Sequence, residues 1–219
     1  MANNKTRSQL KAFFETGDKP SQQDFADLIE SNVNLNEAST IVGDLVHNDG
    51  NATAAGAGVG GAASVTWYVG TNSGITTTVG LLDIQGLTSD ATDTGVIGDE
   101  GASAAYFTKI TAAVNGYIYH ASITCVEAPG GGEVDLDLVF DTTSTAEGAA
   151  ATDVVIPAAA DWTLGLHRSS DLLGATHAVL TAGLADYYVY LAVGTASGPT
   201  NGTYNAGKFA IILKGVKAF

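Results

Sequence analysis

From Ala63 onward, the sequence is a succession of short β-type runs separated by turn residues. In the clearest run, 134–140, four apolar residues alternate with two aspartates: Val134, Leu136, Leu138 and Phe140, with Asp135 and Asp137. A period of two indicates an antiparallel strand with one face buried and the other in solvent. Eight to nine such runs follow one another without the helices of βαβ units. The spacing predicts a mainly β fold, an antiparallel β-sandwich of jelly-roll type.

The predicted strands are short, and turn residues bound most of them. They cover 64–69, 75–84, 104–112, 117–126, 134–140, 151–156, 175–181, 187–193 and 208–216. Asn115-Gly116 is a hairpin signal between the third and fourth strands. Residues 89–101 read as an acidic loop. Charged residues make up only 15% of the chain and glycine is abundant, which suits strands and turns better than long helices.

Residues 10–32 have a different, helical pattern. Leu10, Phe13 and Phe14 fall at positions i, i+3 and i+4, and so form one apolar face. Gly17 and Pro20 then end that helix. A second helix is predicted to begin at Ser21, because Asp24 follows three residues later as in a capping box and the apolar spacing then repeats at Phe25, Leu28 and Ile29. The segment therefore predicts a helical hairpin.

Each of these helices is only about three turns long, too short to be stable alone in water. The hairpin either packs on its own domain or docks on a partner, and we favour docking. The predicted partner-binding residues are the apolar stripes and the turn between them: Leu10, Phe13, Phe14, Gly17, Asp18, Pro20, Phe25, Leu28 and Ile29. These patterns divide the chain into three predicted regions: an attachment segment (1–36), a Gly/Ala-rich linker or extended arm (37–62) and the β-sandwich domain (63–219).

The distribution of charge excludes several classes of function. Four of the nine basic residues lie in the first 19 positions, whereas 21 of the 23 acidic residues follow them. So acidic a domain would repel a phosphate backbone, and we expect no nucleic-acid binding.

No apolar run is long enough to span a membrane, and the N-terminal residues do not resemble a secretory signal. Because Cys125 is the only cysteine, we expect folding in a reducing cytoplasm without an intrachain disulfide.

No motif indicates catalysis or a cofactor. Gly56, Gly58 and Gly61 match the dinucleotide-binding G-x-G-x-x-G, but a strand rather than a helix follows them. The four histidines lack metal-ligand spacing, and Cys125 is expected to be a buried small residue. We expect no enzymatic activity, no cofactor and no metal. An esterase or glycosidase on the same scaffold is the weakest alternative, since nothing selects a catalytic pair.

Two sets of side chains could bind ligands without a motif. Acidic residues cluster near 135–141 and in the 89–101 loop, where a structural Ca²⁺ is an alternative to ordinary solvated acidic surface. Aromatic residues occupy strand positions, where core packing is the usual role and a subunit interface or ligand platform the alternative. They are Trp67, Tyr68, Tyr117, Tyr119, Tyr187, Tyr188 and Tyr190.

The N-terminal segment resembles a recurring motif of tailed-bacteriophage virion proteins. The resemblance rests on 15–20 (ETGDKP) and on Gln23, Phe25, Leu28, Ile29 and Ser31 in the helix that follows. Ser21 stands where threonine is expected, and Glu30 where aspartate is common. The match covers a small part of the chain. A looser likeness to the final strands of phage capsid-associated sandwich domains lies in residues 201–209.

The resemblance implies a structural protein located in the virion and assembled in the host cytoplasm. Within that class we favour a capsid decoration (cement) protein bound to the major capsid protein or another virion protein, since the chain is short and lacks heptads and repeated shaft motifs. The resemblance also implies a homotrimer. The alternative is a tail- or head-fibre adhesin that binds host-surface carbohydrate.

Overall fold

The structure is a computed structural model that describes residues 54–72, 74–101, 104–151, 153–172 and 187–216, together with Lys19, Ser21, Gln22, Asp24 and Phe25. The chain divides into two compact units, Met1–Leu45 and Val46–Phe219. The five isolated residues belong to the first unit, and all the strands below belong to the second. Most of the predicted helical hairpin and the predicted strand 175–181 lie outside the described residues.

The second unit is mainly β with antiparallel sheets, as the sequence predicts. Its described elements are β1 (Ser64–Asn72), β2 (Ile75–Asp83), β3 (Thr88–Ser89), β4 (Thr108–Ile110), α1 (Ala112–Asn115), β5 (Tyr117–Gly130), β6 (Leu136–Asp141), β7 (Val154–Ile156), β8 (His167–Asp171), β9 (Tyr187–Val193), β10 (Gly202–Thr203) and β11 (Ala206–Val216). A five-stranded sheet has the order β1-β2-β11-β5-β8, and a four-stranded sheet the order β4-β9-β6-β7. β3 and β10 form a separate two-stranded pair.

One hydrophobic cluster takes side chains from both large sheets. Ile123, Phe209 and Ile211 come from the five-stranded sheet, and Leu138 and Phe140 from the four-stranded sheet; all five are fully or almost fully buried. These residues alternate along their strands, so each strand directs every second side chain into the cluster. β11 also forms at the position predicted for the last strand, 208–216.

β6 corrects the prediction of a half-exposed strand at 134–140. Leu138 and Phe140 belong to the main cluster, whereas Val139 packs in a second cluster with Tyr190 and Ala192 of β9. β6 is therefore buried on both faces. Asp135 and Asp137 are buried as well, which the alternation of apolar and acidic residues could not show.

The segment around Asn115 also differs from the prediction. In place of a strand to residue 112 and a hairpin at Asn115-Gly116, β4 ends at Ile110 and the short helix α1 follows. Thr111 caps this helix, since its hydroxyl accepts the Val114 N–H at 3.2 Å, and Gly116 ends it with a φ of 71°. The Asn115 side chain accepts the Thr111 N–H at 2.9 Å, so it stabilises a helical turn instead of a hairpin.

Candidate functional site

The predicted attachment segment is described at its second helix start. The Ser21 hydroxyl accepts the Asp24 N–H at 3.3 Å, and the Asp24 carboxylate accepts the Ser21 N–H at 2.7 Å. This reciprocal pair is the predicted capping box. The Phe25 N–H donates to the Ser21 carbonyl at 3.3 Å, the first i to i−4 bond of a helix.

Phe25 is the one predicted partner-binding residue that the structure describes, and 50% of its surface is exposed. Phe25 thus lies in the first helical turn with half of its surface in solvent. The other predicted partner-binding residues lie outside the described residues: Leu10, Phe13, Phe14, Gly17, Asp18, Pro20, Leu28 and Ile29.

The described part of the predicted arm, residues 54–62, lies along residues 104–106. The Gly56 N–H donates to the Tyr106 carbonyl at 2.8 Å, and the Gly58 N–H to the Ala104 carbonyl at 3.1 Å. A Cβ at Gly58 would lie 2.9 Å from Ala105 Cα, so the close approach requires glycine. Backbone packing thus explains Gly56 and Gly58, two of the three dinucleotide-like glycines.

Glu133 joins two segments that are distant in sequence. Its Oε1 accepts the Val134 N–H at 2.9 Å and the Ser197 hydroxyl at 3.0 Å, while its Oε2 accepts the Thr200 N–H at 2.8 Å. Burial alone would raise the pKa of the Glu133 carboxyl. Hydrogen bonds, including one from the Asp135 N–H, outweigh burial and lower that pKa. The ionised side chain therefore holds the loop 195–201 against the chain that enters β6.

Further polar contacts surround this carboxylate. The Ser89 hydroxyl donates to the Thr200 carbonyl at 2.8 Å and accepts the Glu133 N–H at 2.9 Å. The Tyr204 hydroxyl donates to the Glu133 carbonyl at 2.8 Å, and burial raises the pKa of Tyr204. These contacts connect β3, the start of β6 and the residues beside β10.

Asp135 and Asp137 are buried and also bind backbone N–H groups. Asp135 Oδ2 accepts from Ala196 at 2.6 Å, and Asp137 Oδ1 accepts from Ala158 at 2.7 Å. Burial raises the pKa of Asp137, and the nearby charge of Asp135 raises it further. The default prediction of solvated surface is therefore wrong for both residues.

No group of three or more metal-ligating side chains occurs among the residues that the structure describes. Cys125 is fully buried, as predicted, and burial raises the pKa of its thiol. A protonated, enclosed thiol is a poor nucleophile. His120 and His167 lie on neighbouring strands but bond to Asp171 and Thr124, each at 2.8 Å.

The aromatic strand residues divide between the core and the surface. Tyr187 and Tyr190 are buried, and Trp67 is half-buried with its Nε1 donating to the Phe107 carbonyl at 3.0 Å. Tyr68 and Tyr117 are exposed on the five-stranded sheet. Core packing therefore accounts for the buried tyrosines, and a ligand platform would have to use the exposed ones.

Within the described residues, no helix has both the length and the apolar character needed to cross a bilayer. Comparison with protein-family models, with curated proteins and with solved structures gives no match to this chain.

Proposed function

We propose that this protein is a structural protein of a tailed-bacteriophage particle, a capsid decoration (cement) protein attached to the major capsid protein by residues 1–36. The observation that carries the proposal is the Ser21–Asp24 capping box with half-exposed Phe25 beside it. It lies in the segment whose sequence resembles the virion motif. A helix that starts at Ser21 would place Phe25, Leu28 and Ile29 on one apolar face.

The proposed architecture is an antiparallel jelly-roll sandwich preceded by a helical hairpin and an arm, assembled as a homotrimer in the virion. The shared cluster between the five-stranded and four-stranded sheets supports a two-layer arrangement. The acidic domain would face solvent, and the mildly basic attachment segment would face the shell. No enzymatic step is required for this role.

The test is binding of full-length variants to undecorated capsids. Phe25→Ala should weaken binding by about tenfold or more, as loss of an aromatic anchor does at other interfaces. Gln22→Ala alters an exposed residue in the same helical turn and serves as the matched control. Equal binding by Phe25→Ala and wild type, with both variants folded, would contradict attachment through this segment.

A second candidate is a head- or tail-fibre adhesin that binds host-surface carbohydrate. The exposed Tyr68 and Tyr117 side chains on one sheet favour it, because sugars stack on exposed aromatic rings. Buried Tyr187 cannot serve this role in its present position. A glycan array with wild type and Tyr68→Ala distinguishes the two functions: glycan binding lost in the variant supports the adhesin, and no binding to any glycan eliminates it.

A further inference from the structure

The outer face of the five-stranded sheet, opposite the main hydrophobic cluster, carries most of the exposed apolar surface described. Eight large hydrophobic side chains are exposed in the described residues, and six of them lie on this face. The six are Tyr68, Ile75, Leu81, Tyr117, Val126 and Val216. Apolar side chains gathered on one face mark interaction sites, whereas scattered ones are ordinary.

The strand register gathers these side chains into apolar groups, with the polar row of Lys214, Thr77 and His120 between the first group and the middle of the sheet. At one end, Val216 pairs with both Ile75 and Tyr117, so three exposed side chains form a row across β2, β11 and β5. In the middle, half-buried Ile212 pairs with Val79. Directly opposed residues in antiparallel strands share a face. Apolar side chains are therefore present at the end and at the centre of the sheet on this face.

At the other end of the outer face is a shallow cavity of about 260 Å³. Leu81 and Val126 form its apolar wall, with 48% and 51% of their surfaces exposed. Lys208 and Asp83 also line it, and their charged atoms are 3.6 Å apart. Lys208 bonds in addition to Glu127. The cavity would accept an apolar side chain beside a charged one, as a protein surface offers.

Charge favours a second copy of the chain as the occupant. After Lys19 the sequence holds 21 acidic and five basic residues, so most contacts between two copies would be repulsive. Among the described residues, the outer face is more balanced, with two lysines and three carboxylates: Lys208, Lys214, Asp83, Glu127 and Asp171. Copies can meet there with less repulsion than the overall charge of the domain implies, and Lys214 can pair with a carboxylate across the contact.

A carbohydrate fits this surface less well. Tyr68 on β1 and Tyr117 on β5 lie three strands apart, about 14 Å across the sheet. They do not form one stacking platform. The side chains between them include Val79 and Ile212, which suit a protein surface better than a sugar.

We propose that the outer face of the five-stranded sheet is the surface through which copies of this chain associate, with Leu81 and Val126 buried by a neighbouring copy. This inference deepens the proposed homotrimer, and rests on that part of the proposed function, by naming the contact surface. Each copy contributes the apolar side chains of this face and the two lysines among them.

The experiment measures the mass of the full-length chain by sedimentation over a range of micromolar concentrations. Wild type should associate, and the double variant Leu81→Asp/Val126→Asp should associate at least about tenfold more weakly. Leu164→Asp is the matched control, since Leu164 is 75% exposed in the turn before β8 and lies outside the outer face. Monomeric wild type, or unchanged association of the double variant, overturns the proposal.

A second measurement uses only the wild-type chain and so does not depend on how the variants fold. Oxidative footprinting should show Tyr68 and Tyr117 losing reactivity as concentration rises, while Tyr188 on the other sheet does not change. Unchanged reactivity of the first two overturns the proposal. Neither experiment contains capsids. Failure of self-association is therefore distinguishable from failure of capsid attachment, which the Phe25 variant tests.

Discussion

The carboxylate of Glu133 accepts the backbone N–H of Thr200 at 2.8 Å, and so joins the entry to β6 with the loop that precedes β10. Its other oxygen accepts the Ser197 hydroxyl and two further N–H groups. Glu133 is only 2% exposed. Glu133 thus anchors this loop together with Asp135, whose carboxylate accepts the Ala196 N–H.

Glu133→Gln should destabilise the protein by about 1–3 kcal/mol, because the new amide group presents a donor to groups that are themselves donors. Urea denaturation of the full-length chain measures the free energy of unfolding. Glu100→Gln removes an exposed carboxylate and is the control. Identical denaturation midpoints for the Glu133 and Glu100 variants would contradict the anchoring role.

Glu133 should also make the protein sensitive to acid. Its pKa is lowered from 4.5 in the folded state, so its stabilisation is complete above that value and is lost as pH falls through the folded pKa. Wild type should lose stability more steeply than Glu133→Gln below about pH 4.5. The measurement is the melting temperature of both proteins from pH 7 down to the pH at which wild type unfolds, at constant ionic strength. If the melting temperatures of the two proteins fall in parallel with pH, the expectation is contradicted.

Asp137→Asn should stabilise the protein at neutral pH, whereas Glu133→Gln should destabilise it. Because the pKa of Asp137 is raised in the folded state, its ionised form costs stability above the folded pKa, and that cost disappears as pH falls through it. The amide oxygen can still accept the Ala158 N–H. We expect a rise in Tm of about 2–4 °C near neutral pH, which corresponds to about 1 kcal/mol, and a smaller difference in acid. A lower Tm across the whole range would show that the charge itself is needed.

Tyr190→Phe should loosen the loop that follows β6. The Tyr190 hydroxyl donates to the Thr143 carbonyl and accepts the Thr145 N–H, both at 2.8 Å. Losing both bonds should cost about 1–3 kcal/mol in the free energy of unfolding. Tyr187→Phe is the control, since the Tyr187 hydroxyl has no partner among the described residues. Hydrogen exchange at Thr145 should accelerate in the Tyr190 variant alone; equal exchange in both would refute the assignment.

Gly58→Ala should detach residues 54–62 from residues 104–106, because the added Cβ meets the Ala105 backbone at 2.9 Å. Overpacking of this kind costs about 1–3 kcal/mol. Gly198→Ala adds the same methyl group where no atom lies within 4 Å, and should be neutral or slightly stabilising. The measurement is the Tm of both variants. Equal Tm values would mean that residues 54–62 tolerate a side chain at Gly58.

Local sequence patterns predicted much of the fold. β2, β9 and β11 are apolar at alternate or successive positions, and each forms near its predicted bounds. β8 was not predicted, because His167–Asp171 is polar and forms an edge strand by pairing with β5. The capping box was predicted correctly because its two residues, Ser21 and Asp24, are three positions apart and bond to each other.

The buried carboxylates could not be predicted from local patterns. Asp135 and Asp137 alternate with apolar residues as solvent-facing residues do, yet their partners come from Ala196 and Ala158. Those partners lie in loops whose positions depend on the whole topology. The outer face could not be predicted from local patterns either. Its exposed residues are far apart in sequence and become neighbours only when β2, β11 and β5 pair.

The central place of β11 bears on how the domain is made in the cell. β11 pairs with β2 on one side and β5 on the other, so Leu82 meets Phe209 from a distant part of the chain. During synthesis the β1–β2 hairpin emerges long before β11. The edge of β2 that pairs with β11 stays open until β11 has been made. Sheets completed by such distant pairings form slowly and expose aggregation-prone edges meanwhile. Nascent chains that lack residues 206–216 should therefore depend on chaperones, and premature termination should yield insoluble fragments and not smaller working domains.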